Sequence, residues 1–297
     1  MSFADLLLAV VINAVWGLNF VAVKWAVADF PPLVANTIRF FSVVILLIPY
    51  LKVIPGQMKG IARVAVILGV FHFGTIFYAM AIAEDIAPVA IVAQLGVPFS
   101  TILAAIMLKE AIGWRRAMGV ALSFAGVLIM GFDPRVFNDL DAVVWMAVAA
   151  FLFALAAIYM RRIRDVPAMT TQAWVGIAGI AGSLSLSLLF ETGQVDAVRQ
   201  AGWLAWGAVL YSGIMSSIVG HGGMNYLLRK YEVAVVTPYF LTTPLFAVLG
   251  GVLLLDETLG GRTIVGAAVT LVGVGIVNLR MAKRKQLPPA ARIGDAP

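Results

Sequence analysis

Ten apolar runs, each about long enough to cross the hydrocarbon core of a bilayer, follow one another through the chain with only short polar links between them. They cover residues 6–27, 33–51, 64–83, 88–108, 117–132, 143–160, 169–190, 203–227, 233–255 and 264–279. Lipid offers no water to satisfy backbone amides, so runs of this kind are expected to be helices. The fold class expected is therefore an all-α integral membrane protein with ten transmembrane helices. Composition agrees: 62% of the 297 residues are hydrophobic and 12% charged, against roughly half and a quarter in soluble domains. Ten spans leave no room for an extramembrane enzyme domain. The first run has no Lys or Arg before it and continues through Trp16 and Phe20, so it reads as a retained helix and not as a signal peptide.

The absence of cysteine excludes disulfides, thiol catalysis and Cys-ligated metals, and two histidines make no metal-binding cluster. No cofactor and no metal is called for. The net charge of +6 would suggest nucleic acid in a soluble protein; here its distribution assigns it to insertion. With both termini cytoplasmic, sixteen of the 21 Lys and Arg fall on the inside, among them Lys52, Lys59, Arg63, Lys109, Arg115, Arg116, Arg161, Arg162, Arg229, Lys230 and the cluster at Arg280–Lys285. Ten of the fifteen acids fall in the outer links or at helix ends beside them, including Asp29, Glu84, Asp85, Asp133, Asp139, Glu191 and Glu257. The tail, residues 282–297, is polar with Pro288 and Pro289 and is expected to be disordered.

An offset of 147 places Glu257 on Glu110, Gly260 on Gly113, Arg262 on Arg115, Gly266 on Gly119, Ala268 on Ala121, Gly273 on Gly126, Val274 on Val127 and Ile276 on Ile129. Pro98 and Pro244 match just upstream with one gap. At the start of the halves the match is weak, and Trp16 and Asn19 have no polar counterpart. The expected organisation is a first repeat at residues 1–132 and a second at 140–281. Each would hold five helices, an odd number, so the two are expected to be related by inverted topology, a transporter feature. The stripes Gly119, Ser123, Gly126 and Gly266, Thr270, Gly273 read as close packing seams, within the chain or in a dimer.

Trp16-Gly17-Leu18-Asn19-Phe20 with Lys24 downstream, Asn36-Thr37-Ile38-Arg39-Phe40, and two proline-containing helices ending in Lys109-Glu110 and Asp256-Glu257 together resemble the drug/metabolite transporter superfamily. More narrowly the chain is similar to its ten-helix branch with two EamA repeats, which includes bacterial exporters of amino acids, aromatic and neutral ones among them. The resemblance implies a multi-pass protein of the bacterial cytoplasmic membrane with small-molecule substrates, lipid as its surroundings and a monomeric or weakly dimeric state. It also implies export; the residues themselves do not give a direction.

Polar residues inside an apolar span are costly and mark either helix contacts or a substrate path. Ser217, His221 and Asn225 recur every four residues on the eighth run; His72 and Thr75 lie one turn apart on the third, with Tyr78 a further turn along. Gln94 and Pro98 share a face of the fourth, while Tyr239, Thr243 and Pro244 lie on the ninth. Matched prolines near mid-helix read as hinges beside a binding site. Trp16 and Asn19 lie deep in the first run, where a Trp either packs in the core or stacks on substrate. Arg39, about 9 Å in from the end of its helix, binds a substrate carboxylate, pairs with another group or snorkels. Lys24 reads as snorkelling. No Asp or Glu lies deep in any run, which disfavours cationic drugs. The function expected is a secondary transporter for small metabolites working by alternating access. Exporters of drugs, cations or nucleotide-linked metabolites are the alternative, and an intramembrane enzyme built on Ser217 and His221 is disfavoured.

Overall fold

A computed structural model describes residues 1–163, 166–231 and 236–286, with backbone alone at 135, 218, 225, 228, 229, 237, 238, 240 and 279–286. The described residues are helical, with no strand among them. Ten long helices carry the apolar runs: α1 (Phe3–Asp29), α2 (Pro32–Leu47), α3 (Met58–Ile82), α4 (Ile86–Leu108), α5 (Trp114–Gly131), α6 (Leu140–Met160), α7 (Ala168–Phe190), α8 (203–230), α9 (237–254) and α10 (Gly261–Gln286). Eight are long and apolar enough to cross a membrane. Arg115 and Arg116 lower the hydropathy of α5, and α9 is regular α-helix only over Thr243–Leu254. The tail after Gln286 and the start of the ninth run, at Val233, lie outside the described residues.

Sequence sets the boundaries locally. Ser2 caps α1, its hydroxyl accepting from the Asp5 N–H. Phe30 is extended before Pro31, and Pro32 occupies the first turn of α2, where its missing N–H costs nothing. α4 and α9 end alike. Lys109 (φ 54°) and Asp256 (φ 56°) are the non-glycine residues with positive φ among the described residues, and they are repeat counterparts. Each left-handed residue lets the following Glu N–H return to a carbonyl six positions back, Glu110 to Ala104 and Glu257 to Gly251. The prolines also match: a short 3₁₀ stretch, 93–95 in α4 and 237–242 in α9, precedes buried Pro98 and Pro244. The expected hinges are therefore places where the helical winding changes.

The glycine stripes form a seam inside the chain. Gly119 faces Gly273, and Gly126 faces Gly266 and Thr270, so α5 and α10 run antiparallel, as counterparts related by inversion must. A Cβ at Gly126 would lie 2.3 Å from Thr270 Oγ1 and 2.5 Å from the Gly266 carbonyl oxygen. The Thr270 hydroxyl donates to Gly266 O, and Ser123 to Gly119 O.

The acids of the sequence gather at one end of the bundle, where even-numbered helices begin. Glu191 accepts from Leu33 N at the start of α2 (2.8 Å). Asp29 accepts from Gly202 N before α8 (2.8 Å), and Asp133 from Thr263 N and Oγ1 in α10 (3.2 and 2.9 Å). Glu257, buried, accepts from Ile86 N and Ala87 N at the start of α4. Each carboxylate answers amides that the first turn of a helix leaves unpaired. The α3–α4 link is clamped further. Asp139 takes the N–H groups of Glu84 and Asp85, while Lys24 donates to the Ala83 and Met80 carbonyls at the end of α3. Lys24 thus differs from the expected snorkel: its ammonium turns inward onto carbonyls that the helix end leaves unsatisfied. At the opposite end Glu110, the counterpart of Glu257, pairs with Arg161 (2.7 Å) in a partly exposed position.

Two outcomes are expected. Gly126→Val will force α5 and α10 apart and destabilise the protein by about 1–3 kcal/mol, read as a lower melting temperature in detergent. Gly131→Ala, with open space around its Cβ position, will leave it unchanged. Burial pushes the Asp139 carboxyl up to about 6 from an ordinary 3.8. The folded state therefore holds that proton more tightly than the unfolded one, and stability falls as pH rises between about 4 and 6. Burial raises Glu257 as well, so the contribution of Asp139 is read from the difference between wild type and Asp139→Asn. The melting temperature of the wild type should climb more steeply from pH 7 to pH 4 than that of the variant.

Candidate functional site

The polar residues of the apolar runs converge most clearly on α8. Its winding widens to a π-helix over Ser216–Gly222, a local change that often accompanies function. The indole of Trp16, on α1, donates to the Ser216 carbonyl (3.3 Å), and its ring lies 5.4 Å from that of His221. Gly220 makes room for the indole: a Cβ there would lie 2.1 Å from Trp16 Nε1. One turn before Ser216, the carbonyl of Ser212 accepts from Arg39 Nε on α2 (3.3 Å). Arg39 is 1% exposed. Its guanidinium carbon stands 3.9 Å from the centre of the Phe73 ring and 4.8 Å from that of Phe40. Three helices, α1, α2 and α8, are thereby joined through consecutive turns of one of them.

His72 occupies the matching place in the first half. It ends a second π-helical stretch, Val66–His72 in α3. Its Nδ1 lies 2.8 Å from the Ala149 carbonyl of α6. A carbonyl only accepts, so Nδ1 carries the proton and donates. The ring is 4.7 Å from Phe73, the residue on which Arg39 stacks. Both histidines of the chain thus lie in π-helical stretches of corresponding helices. A sequence signal existed: Val70-Phe71-His72-Phe73-Gly74 and Val219-Gly220-His221-Gly222-Gly223 share Val, His and Gly in register. The offset there is 149, not the 147 of the later helices, and the match escapes a single sliding register.

The other expected residues divide. Thr243 donates to Asn13 Oδ1 (2.6 Å), and Asn13 in turn donates to Ala9 O, which joins α9 to α1 beside Pro244. Asn13 was not among the expected residues; a lone amide one turn before Trp16 was its signal. Ser217 and Asn19 each keep a buried oxygen, Oγ and Oδ1, with no partner among the described residues. Tyr239 packs, as Trp16 and Leu8 do, against the buried cluster of Ala9, Ile12, Leu227 and Val236. Gln94 lies in the 3₁₀ stretch of α4 and is half-buried, as is Thr75. Tyr78 is 43% exposed and meets Trp145 edge-on, on the outside of the bundle. It is not brought to the cluster. The side chain of Asn225 lies outside the described residues.

An apolar crevice of about 310 Å³ opens elsewhere, between α1, α8 and the end of α9, bounded by Leu18, Trp25, Trp203, Tyr211 and Leu254. None of the expected residues lines it. No group of three or more metal-ligating side chains occurs among the described residues.

Several known proteins are similar to this chain over nearly its whole length. A protein of Escherichia coli (strain K12) called a "Probable amino-acid metabolite efflux pump" is 26% identical over 294 residues, 95% of this chain and 98% of that one. Its namesake in Salmonella typhimurium (strain LT2) is 26% identical over 287 residues, 93% and 95% of the two chains. An "Uncharacterized transporter" of Archaeoglobus fulgidus is 28% identical over 275 residues, 88% and 94%. One solved crystal structure shares the fold, with a TM-score of 0.62 at 17% identity over 97% of this chain and 100% of the other. The EamA-like transporter family model matches twice, at residues 4–132 and 140–279. With ten helical runs, a repeated α4–α5 and α9–α10 unit, and both matches in place, the chain belongs to the EamA-like transporter family as a multi-pass membrane transporter.

Proposed function

We propose that this transporter exports small metabolites, aromatic and neutral amino acids among them, across the cytoplasmic membrane of a bacterium. It works by alternating access between two inverted five-helix halves, 1–132 and 140–281. In this reading all ten helices span the bilayer, both termini are cytoplasmic, and the acidic end of the bundle faces outward. The protein acts as a monomer or weak dimer and catalyses no covalent chemistry.

The observation that carries the reading is the central cluster. Trp16 and Arg39 reach α8 from α1 and α2, each donating to a carbonyl one turn from the other, and Trp16 lies against His221. An aromatic ring, a cation and two orphan polar oxygens, of Asn19 and Ser217, suit a small molecule with an apolar side chain and a polar head. The unequal surroundings of the repeat glutamates support alternation. Glu257 holds the start of α4, and the second half of α9 packs against the first half of α4. Glu110 lies apart on Arg161. One end is latched while its counterpart is not, as two exchanging states require.

The test uses the purified protein in liposomes, with labelled phenylalanine, leucine and glutamine followed in both directions with and without a pH gradient. Saturable flux without a gradient is expected, and Trp16→Ala should weaken the half-saturation concentration by about tenfold, the effect of losing ~1.4 kcal/mol. Flux that needs the gradient would make His72 and His221 the coupling groups. Flux that never saturates would replace the carrier with a channel.

A further inference from the structure

We infer that Arg39 is the anchor for a carboxylate on the transported molecule, which makes the substrate class organic carboxylates, amino acids included, and excludes the corresponding amines and amides. The inference rests on the transport reading above and adds to it the group that the site recognises.

Arg39 is a buried cation, 1% exposed, with no counter-charge among the described residues. Its Nε is taken by the Ser212 carbonyl and one face of the guanidinium by Phe73, yet NH1 is buried with no partner among the described residues. The ion pairs among the described residues, Arg161–Glu110 and Lys230–Asp5, involve other side chains. Acids that might have served are spent at helix ends: Glu257 on α4, Asp133 on α10 and Glu191 on α2. An unpaired charge at this depth costs several kcal/mol, and a protein that retains one needs an anion from elsewhere for some part of its cycle.

The geometry selects the anion. A guanidinium stacked on an aromatic ring has its faces covered and offers only its in-plane N–H groups, and the Nε edge is already fixed by a carbonyl on α8. The remaining N–H groups form a planar fork, which matches the two oxygens of a carboxylate and not a single point charge. The residue that receives Nε carries a second free donor. The hydroxyl of Ser212, whose own carbonyl receives Arg39 Nε, is buried and without a partner among the described residues. The neutral amide of a substrate analogue brings the same shape without the charge, and an amine brings the wrong sign next to the guanidinium.

The experiment is a competition series on wild-type protein in liposomes, following entry of labelled phenylalanine against unlabelled phenylalanine, 3-phenylpropanoate, phenylalaninamide and phenethylamine. The two carboxylates should compete and the amide and amine should be weaker by about 100-fold, the scale of removing one partner of a buried hydrogen-bonded charge pair. Equal competition by all four would overturn the inference while leaving transport intact. Failure of the transport reading is a different result, no uptake of any labelled amino acid, and binding then decides. The twenty amino acids, their amides and sodium chloride are compared for their effect on the melting temperature of the detergent-purified full chain. A rise with carboxylates that the amides do not give supports the anchor; no rise with any carboxylate, or an equal rise with chloride alone, overturns it. Arg39→Lys should keep the preference for acid over amide at roughly tenfold lower affinity, and Arg39→Gln should lose the preference itself. A merely structural arginine would lower melting temperature in both variants without changing that ratio. Should Arg39→Gln fail to fold, the lysine variant and the wild-type series still decide.

Discussion

Hydrocarbon supplies no hydrogen bonds, so the first amides and last carbonyls of every helix must find partners in the protein, in the headgroups or in water. Much of this structure answers that constraint. At one end of the bundle α2, α4, α8 and α10 begin, and a carboxylate from a different segment meets each. The reverse need, orphan carbonyls at the end of α3, is met by Lys24. These contacts also tie distant parts of the chain together. Glu257 lies 171 positions from Ile86, and the link that it caps is held as well by Asp139 and Lys24. Acidic residues thus collect at one end because helix N-termini collect there, a reason separate from the rule that places Lys and Arg on the other side.

The same need explains why the repeat is clearest in α4–α5 and α9–α10. Close approach of α5 and α10 requires glycine at matching heights on antiparallel helices, so both copies kept their stripe. The left-handed residues before Glu110 and Glu257 finish the preceding helices with the same bond, from the glutamate N–H to a carbonyl six positions back. Identical backbone then meets unlike surroundings: one glutamate is buried on a helix start and the other rests on an arginine at the surface.

Much of this was legible in the residues. The apolar runs gave the helices, the prolines gave the breaks in α4 and α9, and the glycine stripes gave the seam. Arg39 and Trp16 were legible as oddities, a charge and a large amphipathic ring at depth, but not their partners. Both bind backbone carbonyls of α8, at Ser212 and Ser216, and a carbonyl acceptor leaves no mark in side-chain identity. The π-helical stretches were hidden for a related reason: they change winding without a proline to announce it, and the shared Val-x-His-x-Gly lies out of register with the stronger repeat. Helical spacing placed Tyr78 with His72 and Thr75, yet each step of three residues drifts about 60° around a regular helix, and Tyr78 emerges on the outer surface.

That rotation bears on how the centre is built. In a straight α-helix, residues 72 and 78 are six apart and project some 120° from one another on the helix wheel; a π stretch adds residues to its turns, so the histidine is turned relative to everything before it. In α8 the same device lets Ser212 and Ser216 present carbonyls to α2 and α1 while His221 still reaches the indole of Trp16. The two histidines lie on corresponding helices, and each has a neighbour other than Arg39: the Ala149 carbonyl for His72 and the Trp16 ring for His221. With acids held at helix ends, the fixed charge at the centre is positive, and the arrangement favours a substrate that supplies the missing negative group. Such a substrate lowers the cost of burying the cation whenever the site is closed around it. Occlusion is then easier loaded than empty, which is the asymmetry a carrier needs in order to move solute and not leak.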